Sequence, residues 1–285
     1  MKSFTNYLKL VKFSHTIFAM PFAFTGFFLS YSHNGGELSY AIFLKIVLCM
    51  VFARNAAMGF NRYIDRYIDA ANPRTASREI PSGVISSRSA LLFVIFNTVM
   101  FSISALWINP LCFYLSFPAL GVLLGYSYMK RFTALCHYVL GLALAIAPAG
   151  AYIAFAGRAD LSIIVLSLIV LFWSANFDII YSLADEEYDR ENGLKSIPAT
   201  FGRVGALILS AIGHLIVVPL LVLFGLLIDA GALYIIGASI FTALLVYQHA
   251  IIKKDDISRV NAAFFTANGY ASVLFAIFSI ADILF

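Results

Sequence analysis

Charge is what this chain has least of. Only 12% of its 285 residues are Asp, Glu, Lys or Arg, against 61% hydrophobic, and the mean hydropathy is +0.89. Ordinary soluble domains carry about a quarter charged residues, which excludes a fold solvated by water alone. Cysteine is nearly as scarce. Cys49, Cys112 and Cys136 lie in apolar runs with no C-x-x-C spacing. They suggest neither a disulfide framework nor a zinc site, and read as small buried hydrophobes. The five histidines form no pair at ligand spacing. A Walker loop, a dinucleotide-binding glycine pattern and a nucleophile elbow are all missing. So are low-complexity segments, long linkers and soluble appendages, and 1–285 reads as a single membrane-embedded domain.

What remains is an all-α integral membrane protein. A span needs roughly 20 apolar residues. Nine apolar runs qualify, near 13–32, 40–62, 88–108, 110–129, 136–156, 161–184, 203–228, 231–252 and 261–284. No small-residue cleavage site follows the first run, so it is read as a retained helix. Of the 19 Lys and Arg, 16 fall on one side of this layout. Lys45 and Arg158 fall on the other, and Arg54 lies inside the second helix. The positive-inside rule then makes the basic side cytoplasmic, in a multi-pass inner membrane protein with a cytoplasmic N-terminus. The connections on the opposite side are short, so function belongs to the cytoplasmic loops.

Two acidic clusters stand out against this background. The first runs Asn61-Arg62-Tyr63-Ile64-Asp65-Arg66-Tyr67-Ile68-Asp69 and the second Asp185-Glu186-Glu187-Tyr188-Asp189. Asp65 and Asp69 are each followed 120 positions later by Asp185 and Asp189, and each cluster leads to a basic residue and Ile-Pro, at Arg78-Glu79-Ile80-Pro81 and Lys195-Ser196-Ile197-Pro198. The pattern suggests two four-helix repeats plus a ninth helix. Asn61, Asp65 and Asp69 share one face if the second helix continues through them. Asp178 lies two turns before Asp185 on the equivalent face. Oxygen ligands without Cys or His favour a hard cation, Mg²⁺ before Zn²⁺. Carboxylates beside Arg and Lys at a membrane surface suit that cation together with a phosphorylated ligand.

The basic residues divide by position. Arg78 and Lys195 hold matching places in the two halves, whereas Arg66 and Arg131 carry no signal beyond topology. Tyr126 lies one turn before Lys130. Arg54 sits two turns before Asn61 inside a span, where a charge is costly unless it faces a cavity or partner. It is a candidate ligand anchor, with pairing to Asp178 as the structural alternative. Lys12 and His15 are weaker examples of the same kind. Gly121 and Gly125 favour close helix packing, and Pro118 and Pro148 favour kinks.

Taken together, N-x3-D-x3-D at Asn61, the segment Asn72-Pro73-Arg74-Thr75-Ala76, Arg78-Glu79-Ile80-Pro81-Ser82-Gly83, Tyr126-x3-Lys130-Arg131-Phe132-Thr133 and Tyr181-x3-Asp185-x3-Asp189 resemble the UbiA superfamily of intramembrane aromatic prenyltransferases. The resemblance spans essentially the whole chain. Within the family it is greatest to 4-hydroxybenzoate polyprenyltransferases and the related enzymes of the futalosine menaquinone route. It implies nine helices around a central cavity with a cytoplasmic cap. It implies Asn61, Asp65, Asp69, Asp185 and Asp189 as ligands of Mg²⁺ on a polyprenyl diphosphate, with Arg74, Arg78, Tyr126 and Lys130 near the diphosphate and Lys12 at a basic position of the first helix. Two positions depart from the common pattern. Arg62 and Ala184 stand where many members have Asp and Gln.

The resulting expectation is Mg²⁺-dependent transfer of a polyprenyl group to an aromatic acid in a lipid bilayer, with no nucleic-acid partner. 4-Hydroxybenzoate is the first acceptor, 1,4-dihydroxy-6-naphthoate the alternative, and Asp178 or Asp185 the candidate proton acceptor. A transporter is the rival class. Transporters place polar sites near the bilayer midplane, whereas these motifs gather at one surface.

Overall fold

A computed structural model describes residues 2–12, 18–35 and 38–285, the side chains of residues 2–4 excepted. His15 lies outside the described residues. All regular elements among them are helical: α1 (Lys2–Leu10), α2 (Met20–Asn34), α3 (Tyr40–Ile64), α4 (Arg66–Ala71), α5 (Ser87–Ile108), α6 (Pro110–Met129), α7 (Cys136–Ala156), α8 (Leu161–Ser182), α9 (Glu186–Glu191), α10 (Ile197–Leu227), α11 (Ala232–Ile251) and α12 (Asn268–Leu284). A 3₁₀ turn, Leu183–Asp185, joins α8 to α9, and a π-turn, Ala262–Ala267, leads into α12.

Eight helical stretches among the described residues are long and apolar enough to cross a membrane. The chain is therefore a multi-pass membrane protein. The ninth expected span corresponds to α2. Its 15 described residues reach only about 22 Å, short of a hydrocarbon core of roughly 30 Å.

Serine and aspartate caps fix where several spans begin. The side chains of Ser39, Ser86, Asp160 and Ser196 accept from Ile42, Ser89, Ile163 and Ala199 backbone N–H at 3.1–3.3 Å, satisfying donors that the helix leaves free. The last cap moves the start of α10 six residues ahead of the expected 203. Gly202 interrupts that helix with φ +71°, a conformation glycine tolerates. The regular apolar span thus starts at 203, while Ile197–Phe201 form a preceding turn.

The helices gather into two compact units. Among the described residues, one draws on 2–12 and 39–128, the other on 18–35, 38 and 129–285. Packing thus groups α2 with the second unit, whereas the 120-residue spacing alone would pair it with α3. In the first unit α3 packs along α5. Below them Leu10, Ile80, Ile85 and Ala90 form a small core, flanked by Tyr7, Tyr63 and Phe93. That core anchors the 72–86 loop.

In the second unit α8 is central, flanked by α7 and α10. Its Trp173 and Phe177 pack with Phe18, Phe22, Phe241, Phe264 and Phe275, with ring centroids such as Trp173–Phe177 at 4.9 Å and Phe241–Phe275 at 5.4 Å. In lipid such a core holds through close packing and hydrogen bonds, because tails are as apolar as the side chains. Trp173 Nε1 donates to Asn268 Oδ1 at 2.8 Å, and Asn268 Nδ2 donates to the Ala263 and Phe264 carbonyls freed by the π-turn.

Two glycines set the spacing of α2, α7 and α8. A β-carbon on Gly26 would lie 2.5 Å from the Pro148 carbonyl oxygen, and one on Gly141 would lie 2.5 Å from that of Leu171. Gly→Ala inside a helix ordinarily gains about 0.5–1 kcal/mol. Here Gly26→Ala and Gly141→Ala will each lose about 1–3 kcal/mol through overpacking, read as a lower thermal midpoint in detergent. At the other end of α8, burial pushes the Asp160 carboxyl up, but hydrogen bonds from Ser162, Tyr152, the Ile163 N–H and His33 outweigh it and hold the group at about 2. A depressed carboxyl stabilises the fold above its unfolded value and loses that contribution as pH falls through the folded value. Asp160→Asn will therefore cost stability at pH 7, about 1 kcal/mol after solvent screening. The gap between variant and parent midpoints will close between about pH 4 and pH 2.

Candidate functional site

In the first unit, α3 ends at Ile64 and does not run straight through the acidic motif. Asp65 bends the backbone (φ −87°, ψ 2°) and caps α3. The i→i−4 pattern nonetheless continues, with Asp65 N–H donating to Asn61 O at 3.0 Å and Asp69 N–H to Asp65 O at 2.7 Å. Asn61 Nδ2 donates to Asp65 Oδ2 at 3.3 Å, so Asn61 orients the first carboxylate. Both aspartates are buried, Asp65 at 2% exposure and Asp69 at 4%.

Buried carboxylates need counter-charge. Arg78 supplies it to Asp69, its Nη1 lying 2.7 Å from Oδ1. The loop delivers Arg78 through successive turns. Asn72 Oδ1 accepts from Arg74 N–H, the Thr75 hydroxyl donates to Asp69 O at 3.0 Å, and Arg78 N–H donates to Thr75 O. Asp69 Oδ2 is buried with no hydrogen-bond partner, and Arg62 Nη1 stands 4.0 Å from it.

Other expected residues of this unit meet different partners. Arg54 Nη2 donates to the Lys12 carbonyl at 3.2 Å, while its Nε is buried without a partner. Lys12 has φ +47°. Partial burial, then the charges of Arg62 and Arg78, lower its pKa against the opposing pull of Glu79, with Arg74 adding a smaller lowering. Tyr126 feels the charges of Arg62, Arg54 and Asp65. Arg66 turns away and lies over the Tyr63 and Tyr67 rings at 4.5 and 4.4 Å.

In the second unit the carboxylates are half-buried, and their surroundings differ. The Ser196 hydroxyl hydrogen-bonds Asp189, and Lys130 and Asp185 both act on Asp189 electrostatically. Lys195 is exposed, and its backbone N–H donates to Lys130 O at 2.7 Å. Asp178 pairs with buried His137, Nδ1 to Oδ2 at 2.7 Å. His137 Nε2 accepts the Ile197 N–H at 3.3 Å. That bond leaves Nε2 without a proton and puts the imidazole hydrogen on Nδ1, toward Asp178. Asp178 is thus tied to the segment that holds Asp189, while in the first unit Arg54 bonds the Lys12 carbonyl. Glu186, inside the acidic motif, binds Arg203 Nε at 3.2 Å and Arg190 Nη2 at 2.5 Å, and Arg203 Nη1 donates to Lys254 O. Glu186 is a strut.

Spacing singled out the four aspartates and Asn61 as candidates. It missed Arg62, Thr75, His137, Ser196 and Arg203, whose partners are distant in sequence or separated by loop turns. Among the described residues no three His, Cys, Asp or Glu side chains converge as a metal cluster. Magnesium needs only one or two carboxylates when phosphate oxygens and water complete its shell. The buried Asp69 Oδ2, without a hydrogen-bond partner, fits that chemistry.

The chain belongs to a known family. The UbiA prenyltransferase family matches residues 19–269. A 4-hydroxybenzoate octaprenyltransferase of Aliivibrio fischeri (strain MJ11) is 32% identical over 244 residues, 86% of this chain and 84% of that protein. The apo structure of a UbiA homologue from Aeropyrum pernix K1 superposes with a TM-score of 0.80 at 29% identity, covering 95% of this chain and 97% of the other. A UbiA homologue from Archaeoglobus fulgidus, solved bound to DMAPP and Mg²⁺, shares the fold with a TM-score of 0.72 at 22% identity, covering 98% and 99%.

Replacing Arg203 by Ala will remove one of the two partners of Glu186, leaving Arg190, and loosen the second acidic turn. Hydrogen exchange at residues 185–191 will rise while exchange in the core of α8 stays unchanged.

Proposed function

Because the chain belongs to the UbiA prenyltransferase family, we propose that this enzyme transfers a polyprenyl group from a polyprenyl diphosphate to 4-hydroxybenzoate, with Mg²⁺ as cofactor. The observation that carries the reading is Asp69. It is a buried carboxylate at the end of an apolar span, with one oxygen on Arg78 and the other unpartnered beside Arg62. Such a pairing of acid and base suits a cation and a polyanion together. The name of the Aliivibrio relative supports the acceptor, and the DMAPP and Mg²⁺ in the Archaeoglobus homologue support the donor and metal.

Asp65, Asp69, Asp185 and Asp189 are the proposed metal ligands, with Asn61 orienting Asp65. When bound, Mg²⁺ neutralises charge developing on the diphosphate leaving group. Arg74, Arg78, Lys130 and Tyr126 hold phosphate oxygens through charge-assisted or hydroxyl hydrogen bonds. Lys12, Arg54 and Lys195 add positive charge around the substrates. The allylic C–O bond breaks with its electron pair leaving on the diphosphate. Apolar and aromatic walls exclude water and favour the allylic cation through cation–π contact. The phenol ring attacks through carbon, and its proton leaves. We assign Asp178, oriented by His137, to receive that proton. The basic loops support a cytoplasmic site in the inner membrane.

Asp65→Ala and Asp189→Ala will each lower prenylation by at least about 100-fold while leaving the thermal midpoint near that of the parent. Diphosphate release in membranes, with 4-hydroxybenzoate and separately 1,4-dihydroxy-6-naphthoate as acceptor, measures this. Full turnover in either variant overturns the metal assignment. Turnover with the naphthoate alone replaces the acceptor and leaves the chemistry standing.

A further inference from the structure

Arg62 is the most deeply buried cation of the acidic motif, at 6% exposure. Its Nε has no hydrogen-bond partner, and its Nη1 stops 4.0 Å from Asp69 Oδ2, which is also unpartnered. A guanidinium serving only as counter-ion would close that gap to a charge-assisted bond of about 2.7–2.9 Å. Arg78 already makes that bond to the other oxygen. Leaving a donor and an acceptor both buried and unsatisfied costs on the order of 1–3 kcal/mol each, more for charged groups. A ligand that presents acceptors to the guanidinium satisfies the orphaned donor, and Asp69 Oδ2 stays available to a cation.

The local charge points the same way. Lys12 feels the charges of Arg62, Arg74, Arg78 and Glu79, Arg62 those of Arg78, Asp69 and Glu79, and Arg54 that of Arg62, while Asp65 shares Tyr126 with Arg54 and Arg62. Five cations against three carboxylates leave an excess of two positive charges before any metal arrives. A half-site with that balance attracts a polyanion ahead of a divalent cation. Asp65 and Asp69 cannot supply the anion, because one is oriented by Asn61 and the other is engaged by Arg78.

We propose that Arg62 binds the diphosphate directly and gives the first motif an affinity for prenyl diphosphate that does not require Mg²⁺. The inference rests on the prenyl-diphosphate reading above and goes beyond it by separating binding of the donor from binding of the metal. Arginine suits this role because its fork meets phosphate oxygens in bidentate fashion and stays charged when buried.

The test is equilibrium binding of geranyl diphosphate to the full chain in nanodiscs, in EDTA and in Mg²⁺. The parent protein will bind in both, more tightly with Mg²⁺. Arg62→Met, which keeps the length without the charge, will weaken binding in EDTA by at least about tenfold and binding in Mg²⁺ by less. Arg62→Lys will fall between, since a point charge remains without the fork. Geraniol, which lacks the diphosphate, will bind all three proteins alike. Parent and Met variant binding equally in EDTA overturns the proposal, as does a parent that binds only with Mg²⁺. Should the Met variant fail to fold, Arg62→Lys binding like the parent in both conditions overturns it. Loss of geranyl diphosphate binding by the parent even with Mg²⁺ is a separate result, and it overturns the functional reading together with this one.

Discussion

The Asp69–Arg78 ion pair is the contact on which the first half of the site depends. Placing a carboxylate at 4% exposure at the foot of an apolar helix is unfavourable until a cation arrives. The cation comes from a loop, and a loop has no fixed position of its own. The Thr75 hydroxyl on Asp69 O and the burial of Ile80 and Ile85 beneath α3 and α5 give it one. Sequence elements that look like decoration around the aspartates, Asn-Pro-Arg-Thr and Arg-Glu-Ile-Pro, are the parts that bring charge to them.

The two motifs repeat in spacing and differ in physics. Asp69 is almost fully enclosed and answered by guanidinium groups. Asp189 is half-buried and answered by the Ser196 hydroxyl and the Lys130 charge. Arg78 and Lys195 occupy matching sequence positions, yet Arg78 contacts its aspartate while the Lys195 side chain is exposed and only its backbone is tethered. The second half gains instead a fixed imidazole, His137, that binds Asp178 and the Ile197 N–H together. A duplicated pattern has thus become two specialised environments.

Much of this was legible in the residues. Apolar run lengths gave the spans from α3 to α12 to within a few residues, because a bilayer enforces length and internal hydrogen bonding. The start of α10 was displaced because Ser196 and Pro198 begin a turn that Gly202 then breaks. The short helices α4 and α9 were illegible as separate elements, since their acidic spacing continues the helical period. Asp65, Asp69, Asp185 and Asp189 could be found by periodicity. His137 and Arg62 could not be assigned, because a lone His and one more Arg near a basic loop have no spacing signal. Their meaning lies in contacts to other helices or in atoms left without a partner.

The most direct test of the account follows the product. Membranes containing the protein, given a polyprenyl diphosphate, 4-hydroxybenzoate and Mg²⁺, should yield ring-prenylated acid and diphosphate in equal amounts, with both abolished by EDTA. Diphosphate released without prenylated acid, or prenylated acid formed undiminished in EDTA, would contradict it.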